Sequence, residues 1–321
     1  MRAKRITAAA LLVCLCLLSG CMKSEILEDV RQAEKPEIPA SLTINADGVP
    51  LLKVYDINTE KSENMDIETY VQGVLAGEMK NDWPDEALKA QAVLARTFVL
   101  RFIETKDSMY GNADISTDIT EAQAYAEGLI NEKIRSAVEE TRGMVASYKG
   151  ELINAWFHAH SGGVTELPMT GLEYKENPPY TQSVKSADST DAPDDVENWT
   201  AQFPAGDVEK AAKELGVTTG GVTSVEIGKK GESGRAATII INGKEVSAAG
   251  LRIRLGSEKL KSTFLTDIVV ENDTVRFAGK GYGHGVGMSQ WGAYSMAESG
   301  FGYEQIIKKY FKDVDIVKIW P

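Results

Sequence analysis

The N-terminal segment limits where this chain can fold and what can hold it together. Arg2, Lys4 and Arg5 precede an apolar run of thirteen residues, Ile6 to Leu18, which ends in Leu18-Ser19-Gly20-Cys21. Such a run is too short for a hydrocarbon core of about 30 Å, which takes about 20 residues in a helix. Its length and the small residues behind it suit a signal peptide. A cysteine at the cut is the signature of a lipoprotein, because its thiol takes the lipid and becomes the first residue of the mature chain. The expectation is removal of 1–20, lipidation of Cys21, and retention on the outer face of the cell membrane; a plain signal peptide with a chance cysteine is the alternative. Cys14, Cys16 and Cys21 are the only cysteines. The body therefore has no pair to oxidise and no thiolate for zinc or nucleophilic catalysis.

Removing 1–20 leaves 32 basic against 47 acidic residues, a net charge of −15. Nucleic acid is excluded as a partner, since phosphate binding needs a basic surface. No later run is long and apolar enough to span a membrane. About 300 residues can bury a large core, in one domain or two lobes.

Residues 21–48 are polar, charged and proline-containing, and read as a tether. The folded body, 49–321, opens with a short strand near Leu51. Ile67, Tyr70, Val71, Val74 and Leu75 then follow helical spacing, and Glu78 falls next on the same face. Asn81-Asp82-Trp83-Pro84-Asp85 ends that helix and starts another, which runs to about Thr105 with Leu88, Ala92, Ala95, Val99 and Phe102 on its apolar face. A polar, flexible stretch reaches about Gly128. Met144–Tyr148 and Glu151–Ala159 read as a hairpin, and 164–200 as an acidic surface excursion. A helix near Val208–Leu215 precedes strands at Val222–Ile227 and Ala236–Ile241, with Asn242-Gly243 as a two-residue turn. Leu251–Leu255 and Phe264–Val270 lead to a last strand, Val275–Ala278. A glycine-rich segment, a helix and a strand finish the chain. This order predicts an α+β fold of mixed helices and antiparallel strands, without internal repeats.

Four places can carry chemistry. Glu78 is a carboxylate on an apolar helix stripe, where burial raises its pKa and suits it to donate a proton; a structural ion pair is the competing reading. Arg96 sits among Ala92, Val93, Val99 and Leu100 and needs an anion, either Glu78 or a ligand carboxylate. His158 and His160 share one side of a strand with Asn154 and Trp156, and Ser161-Gly162-Gly163 follows. Together with His284 they offer three imidazoles, short of a full zinc spacing, so substrate contact is preferred and no metal or cofactor is assigned. Last, Gly279 to Gly292 alternates glycines that let backbone approach closely and presents Tyr282, His284, Ser289 and Gln290. It lacks the ending of a phosphate loop, and Ser289 lacks a nucleophile elbow.

Taken together these blocks resemble the SpoIID family, the SpoIID/LytB domain. The matching residues are Gly77-Glu78-Met79, Glu86 to Ala92, Ala95-Arg96-Thr97, Phe157-His158, Ser161-Gly162-Gly163, Thr165-Glu166, Arg254-Leu255-Gly256, Lys261 to Phe264, and Gly283 to Ala293, spread over roughly 50–320. The resemblance implies a SpoIID-like catalytic body and a lytic transglycosylase acting in sporulation on peptidoglycan glycan strands already stripped of stem peptides. It implies Glu78 as catalytic acid, Arg96 as an essential arginine, and partners of two kinds, a SpoIIP-type amidase and a SpoIIM-type membrane protein at the engulfing septal membrane. Some relatives bind zinc through histidines and cysteines near the Ser-Gly-Gly region, and this chain lacks those cysteines. Many are anchored by a transmembrane helix, where this chain carries a lipidation signal.

A transglycosylase needs one carboxylate where common glycosidases need two, because the sugar's C6 hydroxyl replaces water and leaves a 1,6-anhydromuramic end. In that mechanism His158, His160, Ser161, Tyr282, His284, Ser289 and Gln290 contact the sugars. Two rivals remain: a non-catalytic glycan-binding enhancer of an amidase, and a solute-binding lipoprotein, which leaves the histidine and glycine blocks unexplained.

Overall fold

The computed structural model describes residues 33–321; the expected signal peptide and Cys21 lie outside them. The chain is α+β, and its elements run β1 (Thr43–Ile44), β2 (Pro50–Asp56), β3 (Lys61–Asp66), α1 (Ile67–Glu78), α2 (Asp85–Thr105), β4 (Ile115–Ser116), α3 (Glu132–Glu140), β5 (Met144–Tyr148), β6 (Glu151–Leu152) and β7 (Phe157–His158). Next come α4 (Pro168–Gly171), α5 (Asp194–Glu197), β8 (Asn198–Pro204), α6 (Ala205–Glu214), β9 (Val225–Ile227), β10 (Thr238–Ile241), β11 (Lys244–Ser247), α7 (Ala248–Leu255), β12 (Leu265–Glu271) and β13 (Thr274–Lys280). β14 (Met288–Ser289), α8 (Gln290–Glu298), α9 (Tyr303–Tyr310) and β15 (Asp315–Lys318) close the chain. Among the described residues no helix is long and apolar enough to cross a membrane.

β2 is central to the first sheet, antiparallel to β1 and β3 and parallel to β4. Pairing thus begins at Thr43, inside the stretch read from sequence as tether. α1 starts where Asp66 accepts the N–H of Thr69 at 2.9 Å, an N-cap that satisfies one free donor of the first turn. Ile67, Tyr70, Val71, Val74 and Leu75 are fully buried, as their spacing predicts. α2 buries Leu88, Ala92, Ala95 and Val99 and packs on both α1 and α3.

Arg96 lies on this buried surface with no exposure, and its partner is not Glu78. Its Nε is 3.2 Å from both carboxylate oxygens of Glu68, and Nη2 is 2.5 Å from Oε2. Nη1 donates to the Met144 carbonyl at 3.0 Å. Glu68 also accepts the N–H of Gly143 at 3.0 Å and the indole N–H of Trp320 at 2.9 Å. The expectation that Arg96 faces a substrate is corrected: enclosed on all sides, it serves as the clasp between α1, α2, the start of β5 and the C-terminal end of the chain.

A second group of sheets is formed by the chain between β7 and β14. It contains the antiparallel sheets β12-β13-β8 and β11-β10-β9, covered by α6 and α7 around a core of Trp199, Phe203, Ile239, Leu251, Val275 and Phe277. Asn242 and Gly243 both have positive φ, 47° and 75°, the geometry of a two-residue hairpin turn. Leu251–Leu255 is helical rather than extended. Leu251, Ile253 and Leu255 alternate with arginines and so mimic a strand, but Ser247 accepts the N–H of Gly250 at 3.0 Å and caps α7.

Two stretches read as surface are partly enclosed. Ile115, Ser116 and Gln123 are buried between α2 and α3, and the acidic excursion buries Glu166. The β5–β6 hairpin stops at Leu152, short of the expected Ala159; the chain leaves the sheet there and reaches β7, which pairs in parallel with β14.

Arg96→Gln should destabilise the fold by about 3–5 kcal/mol, the range for removing one partner of a buried ion pair, seen as a lowered urea midpoint. Arg96→Lys should recover only part of this, because an ammonium cannot form the planar fork. A loss below about 1 kcal/mol, the surface-pair range, would show that the pair is not structural.

Candidate functional site

A cleft of about 490 Å³ opens where the C-terminal end of α1 meets the segment around 119–124, the 155–159 region, α7 and the glycine-rich loop. Glu78, Gln123, Trp156, His158, Arg252, Tyr282, His284 and Gln290 all line it.

Glu78 is the last residue of α1. Its Oε1 accepts the N–H of Ala124 at 2.7 Å, and its Oε2 lies 3.3 Å from the Gln290 amide nitrogen. The approach of Ala124 depends on Gly77, because a Cβ there would sit 2.7 Å from the Ala124 carbonyl carbon and the Tyr125 nitrogen. Glycine therefore makes room for backbone, and that backbone binds the carboxylate. Burial raises the Glu78 pKa above its ordinary 4.5, and the Ala124 and Gln290 hydrogen bonds oppose this only in part. Such a carboxyl keeps its proton where a free glutamate loses it, which is the property of a general acid.

The glycine loop supplies the opposite wall. Gly281, Gly283, Gly285 and Gly287 all have positive φ, and a Cβ on Gly287 would lie 2.0 Å from the Trp156 carbonyl oxygen. The loop can therefore lie against the 156–160 segment, where His160 and Tyr282 exchange backbone hydrogen bonds of 3.0 and 2.9 Å. Trp291, one residue after Gln290, packs on Trp83 with ring centroids 4.5 Å apart, and this seats α8 against the α1–α2 turn.

The three histidines divide. His158 places Nδ1 3.1 Å from the Val286 carbonyl, so Nδ1 holds the proton and Nε2 is a free acceptor. Nε2 has no partner among the described residues. His284 Nδ1 accepts the N–H of Val286 at 3.0 Å, and the two rings are 5.7 Å apart. Burial is the main cause that lowers both pKa values, His284 to about 3. Both rings are neutral at physiological pH and act through hydrogen bonds, not charge.

His160 turns away from the cleft. Its Nδ1 accepts the N–H of Gly162 at 3.1 Å and lies 3.3 Å from buried Asp188. Ser161 bonds the same Asp188 oxygen through N–H (2.8 Å) and hydroxyl (2.5 Å), and Ser289 reaches the other oxygen at 2.7 Å. None of the three lines the cleft. The expectation of substrate contact by His160, Ser161 and Ser289 is therefore corrected: they form a buried hub on Asp188. The same-side reading required a continuous strand, but β7 has only two residues. Glu78, His158, Tyr282, His284 and Gln290 are brought together in the one cleft.

Sequence reasoning missed Arg252, Gln123 and Asp188. Arg252 was disguised by strand-like alternation. Gln123 lay in a stretch without pattern, and Asp188 lay in the acidic excursion. Among the described residues no three His, Cys, Asp or Glu side chains are grouped to hold a metal ion.

Fold and site define an α+β protein built around a cleft with one half-buried carboxyl among neutral imidazoles and amides. Residues 55–148 match the family described as SpoIID, stage II sporulation protein. The chain is 32% identical over 279 residues to stage II sporulation protein D of Bacillus amyloliquefaciens, covering 82% of this chain and 77% of the relative. It is 31% identical over 303 residues to stage II sporulation protein D of Bacillus subtilis, covering 90% and 85%. It is also 31% identical over 288 residues to the amidase enhancer of Bacillus subtilis, covering 75% of this chain but only 39% of that relative. The chain belongs to the SpoIID family.

Glu78 makes a stability prediction with a definite sign. Its folded pKa is raised, so the native state holds a proton that the unfolded chain releases near 4.5. Stability from this group is complete below that pH and is lost as pH rises through the folded pKa. Glu78→Gln should therefore be more stable than wild type at neutral pH, and the gap should close as pH falls below about 4.5, the ordinary glutamate range. Urea melts at both ends of this range measure it; a variant less stable at neutral pH would indicate a structural ion pair instead.

Proposed function

We propose that the protein is a lytic transglycosylase that cleaves peptidoglycan glycan strands lacking stem peptides during engulfment in sporulation. The observation that carries this reading is that, among the described residues, Glu78 is the only carboxylate lining the cleft. Hydrolytic glycosidases place two carboxylates about 5–9.5 Å apart, one for the leaving group and one for the nucleophile or its base. A cleft with one suits a reaction whose nucleophile comes from the substrate.

Protonated Glu78 donates its proton to the glycosidic oxygen as the C1–O bond breaks. The C6 hydroxyl of the same sugar attacks C1, and its proton passes to the Glu78 carboxylate. The acid is regenerated and a 1,6-anhydromuramic end forms, with no cofactor. Gln290 and the Ala124 amide aim the carboxyl. Two further features of the lining favour a polyhydroxylated ligand. The amide of buried Gln123 and Nε2 of His158 have no hydrogen-bond partner among the described residues, and each such buried group costs about 1–3 kcal/mol until something bonds it. Tyr282, His284 and Trp156 complete the sugar-facing wall.

The names of the Bacillus relatives support a sporulation setting, and the family resemblance adds the proposal of two partners, a SpoIIP-type amidase and a SpoIIM-type membrane protein. Lipid on Cys21 is proposed to hold the protein at the outer face of the septal membrane. Labelled fatty acid should enter wild type and not Cys21→Ala; equal labelling would reject the anchor.

A second reading, a glycan-binding enhancer of an amidase without cleavage of its own, is favoured by the similarity to the amidase enhancer. Incubation with peptide-free glycan separates the two. Wild type should release anhydromuramic ends, and Glu78→Gln should lower the rate about a hundredfold or more, the scale of general acid–base catalysis, while retaining glycan binding. Equal cleavage by the two proteins would reject Glu78 as the acid. Absence of cleavage by wild type, with amidase stimulation intact in both, would favour the enhancer.

A further inference from the structure

Among the described residues, Arg252 is the one cationic side chain lining the cleft that holds Glu78. It extends from α7, with Nε donating to the Lys261 carbonyl at 3.1 Å and Nη2 to the Ser257 carbonyl at 3.3 Å. A guanidinium has five N–H donors, so these bonds orient the group without exhausting it. Burial lowers its pKa to about 10, so it remains charged at neutral pH. Its hydrogen bonds among the described residues go to those two carbonyls, and no carboxylate pairs with it there. The contrast with Arg96 is direct: Arg96 is fully matched by Glu68, whereas Arg252 brings a desolvated charge to a cleft without a counterion. Such a charge is costly until an anion meets it. Glu78 is not that anion: its oxygens bond Ala124 and Gln290, and no ion pair joins it to Arg252 among the described residues. The cation therefore sits in the cleft without suppressing the acid.

We infer that Arg252 is an anion subsite of this cleft and that its ligand is a carboxylate carried by the glycan itself. This deepens the function proposed above and rests on it. The lactyl group of muramic acid ends in a free carboxylate only when no peptide is attached; with the stem peptide in place that carbon is a neutral amide. A guanidinium bonds the carboxylate through two parallel N–H groups and has no such match for the amide. Arg252 thus selects peptide-free strands by charge, meeting the ligand carboxylate that the sequence offered as one candidate partner of Arg96.

The test is calorimetric binding to the full-length body in its Glu78→Gln form, which keeps the ligand intact. The ligands are a peptide-free glycan oligosaccharide and the same oligosaccharide with its lactyl carboxylates converted to carboxamides. The carboxylate form should bind about 10–100-fold tighter, the scale of one charge-assisted hydrogen-bonding pair. Adding Arg252→Gln should bring that ratio close to one by weakening the carboxylate form, and Arg252→Lys should restore part of it. Loosening of α7 alone would weaken both ligands and leave the ratio unchanged, and that outcome overturns the inference. A ratio near one in the parent also overturns it. Should Arg252→Gln not fold, Arg252→Lys decides, since an unaltered ratio there excludes the fork contact. Failure of both oligosaccharides to bind overturns the glycan reading and the subsite with it.

Discussion

Arg96 and Glu68 meet inside the protein, and the position of Glu78 follows from that contact. Removing two charges from water costs several kcal/mol each, and the geometry must compensate. Here it does: the guanidinium grips both carboxylate oxygens and two elements beyond them, while Glu68 also takes N–H donors from Gly143 and Trp320. The contact fixes α1 at its N-terminal end. A helix is stiff over three turns, so fixing Glu68 also fixes Glu78, about 15 Å further along the axis at 1.5 Å per residue.

The two carboxylates of α1 show how environment assigns roles. Both are glutamates and both are removed from water to some degree. Glu68 is surrounded by donors that include a full positive charge. Glu78 receives one backbone N–H and one amide, neither charged, so desolvation prevails and its pKa rises. An arginine beside Glu78 would reverse that balance. Placing Arg96 on Glu68 therefore satisfies the arginine and leaves the second carboxyl without a cation to lower its pKa.

What could be read from sequence divides along a physical line. The stripe of α1, the Asn242-Gly243 turn, the alternate glycines and the placement of Glu78, Tyr282, His284 and Gln290 were legible because each depends on local spacing or backbone conformation. What failed depended on distant partners. Arg96 was known to need an anion, but Glu68 lies 28 residues away, and nothing in the spacing favoured it over Glu78. Ser161 and Ser289 answer to Asp188, which is 27 residues from one and 101 from the other. Leu251–Leu255 failed differently: alternation of apolar and charged residues mimics a strand, yet Ile253 is 63% exposed and only Leu251 of the three alternating residues is buried.

Asp188 also explains how a body expected to lack disulfides can keep the histidine segment rigid. The Ser-Gly-Gly region is where the family resemblance points to a zinc site in some relatives. In this chain one buried carboxylate supplies the cross-link through hydrogen bonds. One oxygen holds the backbone and hydroxyl of Ser161, just after β7; the other holds Ser186 and Ser289. Ser289 is at the same time the N-cap of α8, accepting the N–H of Gly292 at 3.3 Å. Asp188 thus joins the segment that carries His158 to the helix whose first residue, Gln290, contacts Glu78. The polar residues that lie outside the cleft hold in register those that line it.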